Sequence, residues 1–220
     1  MKKSKKTFLI ISTIILAGLF LGVVVVHAIF YVPNSELSVS VPLASMPESF
    51  QEHLNLSTPQ VLINKNTTAQ SYPVSYPKQL RIPSIKVDAK VQYVGITKNG
   101  KMATPNNFTD VGWFQYGTTP GETGSAVIAG HVDNGLAFPA VFADLGNLSV
   151  GGDVYIDTIG GSTLHFKVIN IQNYYAEAKT GDIFNQNDGK YLKLITCAGT
   201  WSILHRTHDQ RMVMTAEEVQ

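Results

Sequence analysis

The pattern of hydrophobic and polar positions divides the chain into three parts. Phe8 to Tyr31 contains no Asp, Glu, Lys or Arg, and about 20 apolar residues are enough for a helix to cross a bilayer. A mostly polar stretch follows, and from Leu80 onward apolar and polar residues alternate in short runs. We therefore predict a membrane segment in residues 1–33, a linker in residues 34–77 and a folded domain in residues 78–220.

The charges around the apolar run predict its orientation in the membrane. The four lysines of the chain's first six residues precede the run, and no basic cluster follows it closely. The positive-inside tendency then keeps the N-terminus in the cytoplasm and places the chain after Pro33 outside the cell. Cleavage after Val26-His27-Ala28 is the alternative. Signal peptides have apolar cores of only about 7 to 15 residues, so we favour an uncleaved anchor.

Residues 34–77 predict an extracellular stalk. They are rich in Ser, Thr, Pro, Asn and Gln, as in the stretch from Asn66 to Pro73. Such a segment has too little apolar area to offset the entropy lost on folding. An extended chain of this type spans up to about 3 Å per residue, so the segment can hold a domain at a distance from the bilayer.

The remaining domain has the pattern of short strands separated by turns. Turn signals include Lys98-Asn99-Gly100 and Asn187-Asp188-Gly189, and such residues favour tight connections. This pattern is typical of a β-barrel or a β-sandwich. The best helix candidate is Phe138 to Leu145. The predicted strands are Leu80–Ile82, Ala89–Val94, Ser125–Ala129, Asp153–Asp157, Thr163–Val168, Tyr191–Thr196 and Met212–Thr215.

The charge balance excludes nucleic acid as a partner. The chain has 17 Lys and Arg against 16 Asp and Glu, and the part after Pro33 has 13 against 16. Binding to a phosphate backbone requires a clustered positive surface that displaces counterions. The exterior part therefore has no basic excess for such a partner.

Cys197 is the one cysteine of the chain, so it forms no internal disulfide. On the oxidising side of a membrane such a residue is either an inert core residue or a nucleophile. Strand alternation places Cys197 on the face of Ile195 and Lys193, opposite Leu192 and Leu194. We therefore expect its thiol to lie outside the main core, at the end of the strand Tyr191–Thr196.

Three other side chains have chemistry that would serve a nucleophilic thiol. His131 follows the strand Ser125–Ala129, and an imidazole can exchange a proton with the thiol and later with a leaving amine. A guanidinium offers charged donors for the oxyanion that forms when a peptide carbonyl is attacked. Arg211, at the start of the last strand, and Arg206 are both within 14 residues of Cys197.

These residues and their order resemble the sortases, cysteine transpeptidases of bacterial cell surfaces. The resemblance covers residues 78–220 and rests on Ala129-Gly130-His131, on Leu194-Ile195-Thr196-Cys197, on Arg211 to Ala216 and on the anchor with its stalk. His131 lies 66 residues before Cys197 and Arg211 lies 14 after it. The fuller family motif has a second Thr where this chain has Lys193. Gly130 to Asp133 and Ala140 to Leu145 are most similar to class F, with class D or E as neighbours.

The resemblance implies a fold, a reaction and a set of partners. The fold is all-β, a closed eight-stranded barrel with short helices behind one transmembrane helix. Cys197 would be the acyl-thioester nucleophile, His131 the proton donor and acceptor, and Arg211 the group that stabilises the oxyanion or the substrate. The substrates would be secreted proteins with an LPxTG-like C-terminal sorting signal, joined to an amine of peptidoglycan or of a pilin. No cofactor or metal is implied, and the source would be a Gram-positive bacterium.

Two other functions and one other site remain as alternatives. A cell-wall cysteine peptidase or amidase would pair Cys197 with His205 or His208, because such enzymes place Cys before His. An anchored binding barrel would keep its ligand affinity in Cys197→Ala. A metal site of His205, His208, Asp209 and Cys197 fits no zinc-ligand spacing, so we favour a solvated loop there.

Overall fold

The computed structural model describes residue 73, residues 75–134 and residues 136–219. The predicted anchor and nearly all of the predicted stalk lie outside the described residues. Within the part that is described, none of the helices has the length and apolar character needed to cross a membrane.

The described chain forms a closed barrel of eight strands in the order β1-β2-β3-β4-β7-β8-β6-β5. One short α-helix, α1 (Gly181–Asn185), and two 3-10 turns, Pro83–Ile85 and Leu145–Asn147, lie between strands. The predicted all-β barrel is confirmed. The strands are β1 (Pro77–Ile82), β2 (Val87–Val94), β3 (Val111–Phe114), β4 (Gly124–Ala129), β5 (Asp153–Thr158), β6 (Thr163–Tyr175), β7 (Lys190–Ser202) and β8 (Thr207–Glu218).

The alternation of side chains along each strand builds two apolar clusters, one on each face of the sheet. Leu192 and Leu194 of β7 belong to the cluster that draws residues from all eight strands, as expected for the interior of a small barrel. Ile195 belongs to the second cluster, which α1 covers with Ile183 and Phe184. The predicted split between the two faces of β7 is therefore confirmed.

Lys193 lies on the α1-covered face of β7, where it is buried. Its Nζ donates a hydrogen bond of 3.0 Å to the backbone carbonyl of Asp182 in α1. Burial lowers the pKa of Lys193, while the nearby carboxylates Asp182 and Asp188 raise it. The lysine that departs from the family motif thus ties α1 to the barrel wall.

The predicted helix Phe138 to Leu145 is wrong. Residues 141–144 form turns, and the 3-10 turn Leu145–Asn147 follows. The backbone N–H groups of Ala140, Val141 and Phe142 donate to carbonyls of Val132, Phe108 and His131 at 2.9 to 3.0 Å. Because these donors bond to other segments, they cannot form the i to i−4 bonds of a helix.

The hairpin of β7 and β8 is longer than the sequence predicts. Cys197 was expected to end its strand and Arg211 to open the next, but both lie inside strands that continue to Ser202 and begin at Thr207. A bulge between Ala198 and Trp201 allows this extension. Gly199 has a φ of 77° there, and a side chain at Gly199 would collide with Asp209.

Candidate active site

Cys197 lies on β7, which the barrel places between β4 and β8. On one side β4 runs parallel to β7 with Ala129 opposite Ile195, so the next residues on the same faces, His131 and Cys197, lie at neighbouring register positions. On the other side Arg211 of β8 is the direct cross-strand partner of Cys197. The fold therefore brings together the three residues that the sequence singled out.

Two hydrogen bonds hold the end of β4 against β7. The buried Thr196 hydroxyl donates to the Gly130 carbonyl at 2.9 Å, and the Gly130 N–H donates to the Ile195 carbonyl at 3.0 Å. The Phe142 ring packs against Gly130 so closely that an added Cβ would lie 2.5 Å from a ring carbon. The Thr before Cys197 and the Gly before His131 therefore fix the spacing of Cys197 and His131.

The His131 imidazole is buried and has a defined tautomer when neutral. Its Nε2 lies 3.2 Å from the carbonyl oxygen of Pro105. A carbonyl only accepts, so Nε2 carries the hydrogen and Nδ1 is the nitrogen able to take up a proton. Burial lowers the pKa of His131, while the bond to Pro105 and the charge of Asp133 raise it. The ring of Phe108 packs edge-on at 5.2 Å between centroids.

The Arg211 side chain is 1% exposed and is held by its own strand. Nη1 donates to the carbonyls of His208 and Gln210 at 2.8 and 2.7 Å, and Nη2 donates to the Thr207 hydroxyl at 2.9 Å. The rival Arg206 is exposed on the turn between β7 and β8, with a φ of 53°. Arg211 is therefore the guanidinium next to the thiol.

The resting thiol of Cys197 has a pKa above that of an ordinary cysteine. Burial raises its pKa and is the largest effect, followed by the Arg211 charge, which lowers it. The Asp133 charge raises the pKa of Cys197, and a hydrogen bond with Thr207 lowers it. The neighbouring Arg211 cation favours the thiolate, but loss of hydration outweighs it.

Asp133 and Thr207 belong to the site although the sequence assigned them no role there. The charge of Asp133 acts on both His131 and Cys197, and its carboxylate lies 3.5 Å from His208 Nε2. Thr207 accepts a hydrogen bond from the guanidinium of Arg211 and also lowers the pKa of the Cys197 thiol. Asp133 belongs to the stretch Gly130-His131-Val132-Asp133, from which the sequence analysis inferred only the sortase class. No sequence motif indicated a role for Thr207.

The remaining histidines of the hairpin have other contacts. His205 lies on the exposed turn, where Nδ1 is 3.1 Å from Ser202 Oγ. His208 lies opposite Trp201, with ring centroids 5.3 Å apart, and contacts Asp133. Among the residues that the structure describes, no three His, Cys, Asp or Glu side chains come together as a metal site.

The sequence profile of the sortase domain matches residues 80–219. This chain belongs to the sortase family. Sortases are cysteine transpeptidases associated with the surface of Gram-positive bacteria, and Cys197 is the one cysteine available to this member. Among curated proteins, none matches this sortase.

Solved sortase structures share the fold of this sortase. Sortase C2 of pilus island 1 from Group B Streptococcus is 23% identical, with a TM-score of 0.50 over 64% of this chain and 73% of that one. Sortase C-1 from Actinomyces oris is 22% identical, with a TM-score of 0.51 over 82% and 89%. Sortase C1 from Streptococcus agalactiae is 18% identical, with a TM-score of 0.51 over 65% and 67%. At these sequence identities the similarity supports the barrel fold but does not identify the substrate.

Proposed function

We propose that this sortase is a membrane-anchored transpeptidase that cuts an LPxTG-like C-terminal sorting signal and joins the protein to an amine. The observation that supports this best is the position of Cys197 between His131 and Arg211. The proposed sites are Cys197 as nucleophile, His131 as proton donor and acceptor, and Arg211 as the group that stabilises developing charge.

The burial of His131 and the partial burial of Cys197 favour a neutral resting pair. Burial raises the pKa of the Cys197 thiol and lowers that of the His131 imidazole, so both effects oppose the charged forms. Nδ1 of His131 then takes the thiol proton as the sulfur attacks the carbonyl carbon between Thr and Gly of the signal. The imidazolium returns this proton to the leaving amine as the C–N bond breaks and the thioester remains on Cys197.

Arg211 suits the charge that develops on the carbonyl oxygen during attack. Its guanidinium is buried and held in place, so it needs no reorganisation when the oxyanion forms. The same fork can hold the substrate backbone. In the second half-reaction an acceptor amine loses a proton to His131 and attacks the thioester carbon. The C–S bond breaks as the amide bond forms, and the imidazolium returns the proton to the sulfur of Cys197.

The proposed partners and location follow from the sequence resemblance. The donor is a secreted protein with the sorting signal, and the acceptor is an amine of a peptidoglycan precursor or a pilin. The segment 1–33 would anchor the enzyme in the cell membrane as a single pass, with residues 78–220 outside. We assign this sortase to class F, with class D or E as neighbours. The assignment is based on the stretches Gly130 to Asp133 and Ala140 to Leu145.

A peptide library tests the reaction and the substrate together. The full chain in detergent is incubated with fluorescent pentapeptides of the LPxTG type and a panel of amines, and products are identified by mass. We expect the peptide cut after Thr and joined to the amine, and no product with Cys197→Ala or His131→Gln. Matched variants His205→Gln and Arg206→Lys, on the exposed turn, should retain turnover. Hydrolysis that ignores every amine, or turnover by His131→Gln, would contradict the transpeptidase.

A further inference from the structure

The large apolar side chains exposed on the barrel gather at the end that holds Cys197. Ten such residues are exposed in the described part of the chain. Six of them lie in the loop after His131, at the end of β6 or in the hairpin of β7 and β8. These six are Leu136, Phe138, Tyr175, Trp201, Ile203 and Leu204. An apolar concentration of this kind marks a surface that meets something other than water.

The tip of the β7–β8 hairpin projects past the barrel rim. β4 last pairs with β7 at Ile195, and β6 last pairs with β8 at Gln210. Beyond those positions the two strands pair with each other, up to Ser202 opposite Thr207. Ile203 and Leu204 follow in the turn and are each 86% exposed. We call Trp201, Ile203 and Leu204 the apolar tip.

The shape of the apolar tip favours a membrane over a peptide as its partner. Sites for small ligands and short peptides are concave, whereas these side chains stand on a projecting turn. The turn is built locally, since the His205 N–H donates to Ser202 Oγ at 3.3 Å. Within the apolar tip, Trp201 lies at the end of β7 and Ile203 and Leu204 lie in the turn. Arg206 is exposed in the same turn. Apolar side chains flanked by Trp and a cation are typical of segments that enter the lipid headgroup layer.

The length of chain before the barrel permits this orientation. β1 begins at the barrel end opposite Cys197, because Pro77 pairs with Thr158 at the turn between β5 and β6. A strand of 13 residues such as β7 is about 43 Å long. Residues 34–72 could span up to about 130 Å when extended. A tether of that length can attach at the far end of the barrel and still let the hairpin reach the bilayer.

We propose that the apolar tip inserts into the headgroup region of the phospholipid bilayer and turns the Cys197 end of the barrel toward the membrane. This inference rests on the membrane anchor of the proposed function. It assigns the tip to lipid, while the peptide is bound at the outer face of the barrel wall, beside Cys197. A substrate still attached to the membrane would then meet the thiol at the bilayer surface.

The two tryptophans of the chain make the experiment direct. Trp113 is 1% exposed inside the barrel, and Trp201 is 46% exposed at the tip. The full chain is reconstituted into vesicles of phosphatidylcholine and phosphatidylglycerol, and fluorescence is quenched with brominated phosphatidylcholine. We expect the quenched fraction to be at least two-fold higher than in Trp201→Phe, which reports Trp113 alone. The double variant Ile203→Ser/Leu204→Ser should fall to that lower level.

The control and the contradicting outcomes separate this proposal from the anchor. Ile159→Ser changes an exposed residue of the β5–β6 turn, at the opposite end of the barrel, and should leave Trp201 quenching intact. Equal quenching with and without Trp201, or quenching that survives the double variant, overturns insertion. A raised KM for soluble peptide in the double variant with quenching retained assigns the tip to the peptide and also overturns insertion. Extraction of the chain by alkaline carbonate would refute the anchor separately.

Discussion

Cys197 and Arg211 are direct cross-strand partners on β7 and β8, and the guanidinium of Arg211 is held by two backbone carbonyls and by Thr207. The positive charge therefore has a fixed position beside the sulfur. Since the same charge lowers the pKa of Cys197, Arg211 acts on the resting thiol as well as on the oxyanion proposed to form during attack.

Arg211→Lys should lower kcat/KM for an LPxTG-like peptide by about 10² to 10³. The ammonium of lysine keeps the charge but loses the planar fork of donors and its fixed geometry. The measurement is steady-state release of a fluorescent fragment, with Arg206→Lys as the matched control. Wild-type turnover in Arg211→Lys would show that the guanidinium of Arg211 takes no part in the reaction.

The Cys197 thiol of the folded protein should react with iodoacetamide more slowly than an ordinary cysteine at the same pH. Alkylation requires the thiolate, and burial raises the pKa of Cys197. The midpoint of the rate against pH should therefore lie above that of the same chain unfolded in urea. A midpoint below the unfolded reference would mean that Arg211 and Thr207 outweigh burial.

Asp133→Asn should lower the pKa of both Cys197 and His131. The carboxylate raises both pKa values, so its removal shifts both titrations to lower pH. Alkylation rates report the thiol, and the NMR shifts of the imidazole report His131. The matched control is Asp144→Asn, which lies in the same connection between β4 and β5. The Asp144 carboxylate accepts a hydrogen bond from the Asn147 side chain. A purely structural role for Asp133 would change the melting temperature without moving both titrations together.

Thr196→Val should destabilise the barrel by about 1 to 3 kcal/mol. The substitution keeps the shape of the side chain but removes the buried hydrogen bond to the Gly130 carbonyl. Urea denaturation measures the loss, and the exposed Thr200→Val serves as control. Because this bond also fixes the position of His131 beside Cys197, turnover should fall further than stability alone explains. Unchanged stability and turnover would show that the bond is dispensable.

The sequence predicted those parts of the fold that alternate clearly between apolar and polar positions. It placed Cys197 on the correct face of β7, because Leu192 and Leu194 point into the barrel. It missed β3, whose four residues Val111–Phe114 are all buried and do not alternate. It also missed α1, because five residues are too few to show a helical period.

The sequence could propose the members of the candidate site only from residue types and their order. His131, Cys197 and Arg211 came from the sequence, and their adjacency came from the pairing of β7 with β4 and β8. Their electrostatics could not be predicted, because burial of the thiol exists only after the barrel closes. Asp133 was missed for the same reason, since its interactions with Cys197 and His208 join segments that lie far apart in the chain. Thr207 is close to Arg211 in the sequence, but the extended β7–β8 hairpin that places it at the site was not predicted.

The parallel pairing of β4 with β7 also determines when the enzyme can become reactive. Thr196 and Gly130, which hold these strands together, are 66 positions apart, and contacts of such long range form slowly during folding. Until the barrel closes, the sulfur has neither its imidazole nor its guanidinium. A chain that has not yet closed its barrel thus lacks the arrangement proposed for catalysis, and folding itself switches the enzyme on.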